Sequence, residues 1–198
     1  MDELEIRRMY ISDEEWERTS PSWKTLKPLK NFNQLKDTDE SERQCYERLS
    51  DRFNIPFDVI SQWIYPHYFN RHTVNNYGWI DYSNCHFHEV NLEVSILTNL
   101  HVIKDFQPYV TSRESAKPFD DFCCMSQDKA HWESRGTWRI PPIVLDVDSL
   151  MGIPSYSEIR GPFQLIEGHS RLGYFLALKR AGILSVTEHK VYLLSCNS

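Results

Sequence analysis

The hydrophobic pattern changes its period along the chain, and each change marks where one kind of structure gives way to another. Up to about residue 38, charged residues, two tryptophans, Pro21 and Pro28 follow one another with weak periodicity. That predicts an irregular arm with one helical turn around Asp13 to Arg18, and its tryptophans predict that the arm docks on the protein. From Asp39 to Phe53 strong helix formers carry Tyr46, Leu49 and Phe53 at helical spacing, with Asp39 as the cap, so an amphipathic helix is expected. A second short helix starts at Pro56, whose fixed φ suits a first turn, and Pro66 ends or kinks it.

From Ile80 the period becomes two. His86, His88, Val90, Leu92, Val94 and Ile96 alternate with Phe87, Glu89, Asn91, Glu93 and Ser95, which predicts a strand or strand pair. Residues 105–138 are polar and broken by Pro108, Pro118 and Gly136, with room for a helix over Ser126 to Arg135. Pro142 to Val147 and Phe163 to Ile166 are short apolar runs that read as buried strands. His169 to Ala181 is a helix with apolar residues around much of its circumference, Lys179 and Arg180 in its last turn and Gly182 at the left-handed cap position. Glu188 to Leu194 closes the chain as a strand, expected to return parallel to Phe163 to Ile166 by the crossover rule. The chain is therefore read as α+β, with a mainly helical region over 1–78 and a domain with a small mixed sheet over 79–198.

The composition, 40% hydrophobic and 13% aromatic over 198 residues, supports a packed interior. The formal charge of −6 is spread without a long block of one sign, which argues against general attraction to nucleic acid or anionic membrane. No run approaches the length of a membrane span, and the start Met1-Asp2-Glu3-Leu4-Glu5 lacks a basic and an apolar region, so the cytoplasm is the expected location. Five cysteines, with Cys123 beside Cys124 and Cys196 near the end, make a poor disulfide framework, and reduced thiols are expected.

The candidate chemistry lies in Glu167-Gly168-His169-Ser170-Arg171, between a buried strand and a buried helix. A glycine there lets the backbone turn sharply, and the first amides of the helix then point outward beside its positive end, which makes an anion cradle. Arg171 adds a fork of donors suited to phosphate or carboxylate, and His169 and Ser170 can donate or relay protons. Glu167 can take a proton or hold a metal ion. The bland alternative is a tight turn closed by a local ion pair between Glu167 and Arg171.

The run Gly161-Pro-Phe-Gln-Leu-Ile-Glu-Gly-His-Ser-Arg-Leu-Gly-Tyr-Phe-Leu-Ala-Leu-Lys-Arg-Ala-Gly-Ile183 resembles the signature of the ParB and sulfiredoxin superfamily, in which Gly-x-x-Arg opens a helix after a strand. Arg139-Ile-Pro-Pro-Ile-Val-Leu145 is similar to the family strand before the motif. The resemblance spans roughly residues 80–194 and is strong from 138. It implies a ParB/sulfiredoxin-like domain that binds a nucleotide (CTP in partition proteins, ATP in sulfiredoxins, ADP in a free serine kinase), and some members are described as nucleases. Carried over, Gly168, His169, Ser170 and Arg171 hold the phosphate. Glu167 and His169 are the catalytic candidates, with Mg²⁺ shared between Glu167 and the nucleotide.

The departures narrow the expectation. His169 stands where sulfiredoxins need cysteine, so sulfinic acid reduction is not expected. Partition proteins carry Gly-Glu-Arg-Arg and a helix-turn-helix domain downstream, neither of which is found in these 198 residues. The kinase-like turn is the nearest, with Ser170 in place of its second histidine.

Other clusters carry weaker signals. His86 and His88 share a strand face that Cys123, Cys124 and His131 could complete as a zinc site, but the spacing matches no strong zinc motif and polar strand residues are the simpler reading. Lys24, Lys27 and Lys30 alternate with Trp23, Leu26, Leu29 and Phe32, a basic and aromatic stretch that could meet nucleic acid or present a solvated face. Trp63, Tyr65, His67, Tyr68 and Phe69, followed by Arg71 and His72, would fill a junction or line a base or partner pocket, with core the first reading. Glu188 and His189 could face the glycine turn if their strands are adjacent, with a surface pair as the first reading. Two functions follow: a bacterial nucleotide-dependent phosphotransferase or hydrolase, or a non-catalytic binding or regulatory module whose N-terminal aromatic and basic region engages a protein or nucleic acid.

Overall fold

A computed structural model describes residue 7 and residues 10–29, 40–118 and 126–197. The expected cap Asp39, together with Lys30, Phe32, Cys123 and Cys124, lies outside the described residues. The protein is α+β, and its chain divides into two compact units: Met1–Phe87 with Met151–Glu158 and Cys196–Ser198, and His88–Leu150 with Ile159–Ser195. The chain thus returns twice to the first unit, a discontinuity that no shift of composition announces.

In the first unit, α1 (Asp13–Glu17) and α2 (Pro21–Thr25) are single turns, too short to persist alone. Each starts at a serine: Ser12 forms a reciprocal capping box with Glu15, and Ser20 accepts from the Trp23 amide ahead of Pro21. Packing then holds them. Trp23 is fully buried and lies face to face with Tyr68, ring centres 5.0 Å apart, while the Tyr68 hydroxyl donates to the Trp23 carbonyl. The described part of the arm docks through Trp23, as its tryptophans predicted.

The Glu15 carboxylate ties α1 to α4 (Arg71–Tyr77) by accepting from Arg71 Nε at 2.6 Å and Asn75 Nδ2 at 2.8 Å. Burial pushes its carboxyl up, but the donors from Asn75, Arg71 and Ser12 outweigh that and hold it at about 2. Helix α3 (Glu42–Ser50) begins later than expected because Ser41, in a capping box with Gln44, supplies the cap. After it, Phe57–Val59, a π-helical turn Ile60–Ile64 and Tyr65–His67 form one continuous run. Pro66 lacks an amide and would crowd the carbonyl one turn back, and the wider π turn just before it, with Tyr65 N–H donating to the Ile60 carbonyl, relieves that conflict.

The second unit is built on a four-stranded mixed sheet in the order β1-β4-β2-β3, where β1 is Cys85–Glu93, β2 Ile143–Asp146, β3 Phe163–Glu167 and β4 Glu188–Cys196. β2 pairs antiparallel with β3 and parallel with β4. This overturns the expected parallel pairing of the last strand with Phe163–Ile166. The crossover instead lands two strands away, because the buried run Ile143-Val144-Leu145 occupies the place beside β3. β1 also ends earlier than its alternation predicted: Val94–Leu97 turn helical, and the Val94 amide donates to the Thr187 carbonyl. Burial along β1 changes phase between Phe87 and Val90, at the border between the units.

Against the sheet lies α7 (His169–Arg180), whose Leu172, Phe175 and Leu178 join Val144, Leu165, Val191, Trp132 and Trp138 in the core. It ends as predicted, with Lys179 and Arg180 in the last turn and Gly182 at φ 69°. Helix α6 (Ser126–Arg135) falls where the sequence placed it, whereas α5 (Gln107–Glu114) arises in the stretch read as broken. Pro108 is not a breaker there; it sits in the first turn, where a proline is tolerated. Helices α5 and α7 cross closely at Gly173, where a Cβ would stand 2.5 Å from the Val110 carbonyl oxygen.

The cysteine expectation is corrected too. Cys85 and Cys196 form a disulfide between the start of β1 and the end of β4, while Cys45 is buried and reduced. The odd cysteine count hid this pair, because its partners meet only once β1 and β4 lie side by side. Such bonds are rare in a reducing compartment. Among the described residues no helix is long and apolar enough to cross a membrane.

The two cysteines are 111 positions apart, so opening the bond frees a long loop in the unfolded chain. Cys85→Ser is expected to lower unfolding stability by about 2–5 kcal/mol in denaturant titration. An unchanged midpoint would show that the bond constrains little.

Candidate functional site

The corner between β3 and α7 is made by Gly168, at φ 106° and ψ 26°. Two constraints require glycine there: the left-handed backbone, and a Cβ that would lie 2.6 Å from Pro142 Cβ and 3.2 Å from both Nε and Nη2 of Arg171. No side chain caps the helix at Gly168, and its first turn carries no acid. The positive end of a twelve-residue helix therefore meets a guanidinium over a bare glycine.

Each predicted residue of the turn contributes to this corner. Glu167 lies 3.9 Å from His169 Nδ1 and 3.8 Å from Arg171 Nη2, so the acid, the imidazole and the guanidinium come together as the sequence suggested. Ser170 is half-buried on the first turn. His169 is 7% exposed and packs against the Phe106 ring at 4.5 Å. Arg171 Nη1 donates to the carbonyls of Ile140 at 2.7 Å and Pro141 at 3.3 Å. One arm of its fork thus braces the segment leading into β2, and the edge formed by Nε and Nη2 faces Gly168 and Glu167. The local ion pair of the bland reading exists as well, at a separation looser than a hydrogen bond.

Sequence reasoning missed the other walls of this corner. Ile140, Pro141 and Pro142 stood in a run valued only as a strand, and Phe106 carried no signal because the helix it precedes was not foreseen.

His189 was read as half of a surface pair with Glu188, and the structure corrects this. Glu188 is exposed, but His189 is 1% exposed among Trp132, Trp138 and Phe175, with ring centres 5.9, 5.0 and 5.1 Å away. Its Nδ1 meets the Thr137 hydroxyl at 2.9 Å, and its Nε2 has no hydrogen-bond partner among the described residues. Burial lowers its pKa from 6.5 to about 4.

The remaining clusters sort into core and surface. His86 Nε2 lies 3.2 Å from Asn197 Nδ2, and His88 is exposed on β1. Among the described residues no three His, Cys, Asp or Glu side chains gather as a metal-holding group. Trp23 and Leu26 of the basic stretch are fully buried, so Trp23 offers no face for base stacking, and Lys24 reaches Glu17 at 3.9 Å. The aromatic cluster divides: Trp63 and Tyr68 are buried in the core, while Tyr65, His67 and Phe69 are half-buried beside a cavity in the first unit. No family model matches the chain, and no curated protein or solved structure matches it either.

The buried imidazole sets a pH dependence. Its folded pKa lies below the unfolded value, so the unfolded chain takes up the proton first, and stability held above pH 6.5 is lost as pH falls towards 4. At about 1.4 kcal/mol per unit the loss over that window amounts to about 3 kcal/mol. His189→Phe is expected to flatten that part of the stability curve in urea titrations run from pH 7 to pH 4; an unchanged slope would show that another group titrates.

Proposed function

We propose that this protein binds the phosphates of a nucleotide at the Gly168 corner, as a ParB/sulfiredoxin-like protein. The observation that carries the reading is the uncapped start of α7 with the Arg171 guanidinium held over a left-handed glycine. Amides at a helix start favour an anion through both hydrogen bonding and the helix dipole, and here the guanidinium stands beside them. Bracing by the Ile140 and Pro141 carbonyls fixes the guanidinium before the ligand arrives, which lowers the entropy lost on binding.

For phosphoryl transfer or phosphate hydrolysis, Glu167 at the end of β3 is the acid or base, with the His169 imidazole 3.9 Å from it as the second candidate. Mg²⁺ shared between Glu167 and the nucleotide would neutralise phosphate charge.

A second reading, a non-catalytic binding module, is favoured by the same braced arginine. Its Nη1 donates to two backbone carbonyls, and Phe106 covers His169, so the corner also has a purely architectural explanation.

Calorimetric titration with ATP, ADP and CTP, with and without Mg²⁺, separates the two. Under the first reading one nucleotide binds, and Ser170→Asp weakens it about tenfold or more while leaving the melting temperature unchanged or raised, because an acid at a helix start complements the dipole yet repels phosphate. Gly168→Val abolishes binding and also lowers stability, whereas Ser170→Ala has a smaller effect. No heat with any of the three nucleotides would leave the binding-module reading in its place.

A further inference from the structure

Helices α5 and α7 run side by side in the same direction. Phe106 at the start of α5 meets His169 at the start of α7, Val110 and Arg113 face Gly173 about one turn on, and the Ala116 carbonyl just past α5 accepts from Arg180 at the end of α7. The opening turn of α5 therefore flanks the Gly168 corner, and it brings Tyr109 there, three residues after Phe106 and on the same side of the helix. We infer that Tyr109 is the surface on which the base of the bound molecule stacks, so that the corner takes nucleoside phosphates in preference to phosphates without a base. The assignment rests on the phosphate reading of that corner.

Ile103 and Val110, 1% and 6% exposed, fix the buried side of this segment. Tyr109 lies on the flank of that side and is 59% exposed. Its ring meets Phe106 at 61° with centres 6.3 Å apart, an edge contact rather than a stack. The ring is thus held by a neighbour without being covered face to face, and a flat ligand ring laid on it would remove apolar surface from water.

The spacing matches a nucleotide. Ring-to-ring steps of 6.3 Å from Tyr109 to Phe106 and 4.5 Å from Phe106 to His169 lead to the first residue of α7. In a nucleotide the ribose and its ester phosphate separate the base from the terminal phosphate, and a spacer of that kind spans the two steps. A phosphate seated at Gly168 accordingly leaves its base beside α5.

Backbone contacts hold the platform in place. At the crossing of the two helices a Cβ on Gly173 would stand 2.5 Å from the Val110 carbonyl oxygen and 2.6 Å from Arg113 Cβ, so the separation of α5 from α7 is set by backbone approach. Pro108 fixes φ in the first turn of α5, and the Gln107 amide donates to the Ile103 carbonyl. A surface fixed in this way loses little freedom when a ligand arrives. Stacking on an aromatic side chain tolerates any base, since every base has a π face, so Tyr109 selects for the presence of a base and not for one base in particular.

The test is calorimetry on the full chain with ATP, ADP and CTP against tripolyphosphate and pyrophosphate, which carry the phosphates without a base, together with saturation-transfer NMR from protein aromatic protons to the base. The best-bound nucleotide is expected to bind about tenfold more tightly than the base-free ion with the same number of phosphates. Tyr109→Ala, at an exposed position, should bring that ratio to about one and abolish transfer to the base, whereas Tyr109→Phe, which keeps the ring, should retain both. The inference is overturned, with the phosphate reading left standing, if the base-free ions bind as tightly as the nucleotides or if the ratio persists in Tyr109→Ala. If neither the nucleotides nor the base-free ions bind, the phosphate reading fails and the inference falls with it.

Discussion

The second unit depends on the brace that Arg171 makes across the Gly168 corner. Its guanidinium reaches the carbonyls of Ile140 and Pro141, and thereby ties the first turn of α7 to the backbone entering β2. Next to these carbonyls, Pro142 packs against Gly168 on one side and accepts from the Tyr192 amide of β4, an inner strand, on the other. Glycine is the only residue that serves at the pivot: any Cβ would meet Pro142, and the backbone angle would be strained besides.

From that pivot α7 runs beneath α5, and Gly173 removes the side chain that would keep the two backbones apart. The two glycines thus do different work on one helix. Gly168 admits a turn, whereas Gly173 admits a neighbour, and together they bring Phe106 over His169. The acid, imidazole and guanidinium of that corner are held by packing that extends well beyond the motif.

The first unit is organised differently. Its helices are short, and Ser12, Ser20, Ser41 and Asn70 cap their starts, so local hydrogen bonding decides where each begins. What joins them is aromatic: Trp23, Trp63, Tyr68, Tyr77 and Tyr82 form a connected set of ring contacts. Aromatic side chains bury much area with few rotatable bonds, which suits a unit of short helices that could not stand alone.

By itself the sequence determined those elements whose cause is local. The helix over 126–135, the strand runs at 143 and 163, the motif helix with its basic last turn and Gly182, and the docking of the tryptophan arm all follow from periodicity, caps and composition within a few residues. The meeting of Glu167, His169 and Arg171 was legible for the same reason, because a strand, a glycine and a helix start leave them little choice. Tertiary structure alone decided what depends on distant partners. β2 took the place beside β3 that the last strand was expected to fill, Cys85 found Cys196, and His189 was buried among rings although it neighbours an exposed glutamate. In each of these the outcome is set by which strands lie side by side and which faces they bury, and those are properties of the whole sheet that no window of residues contains.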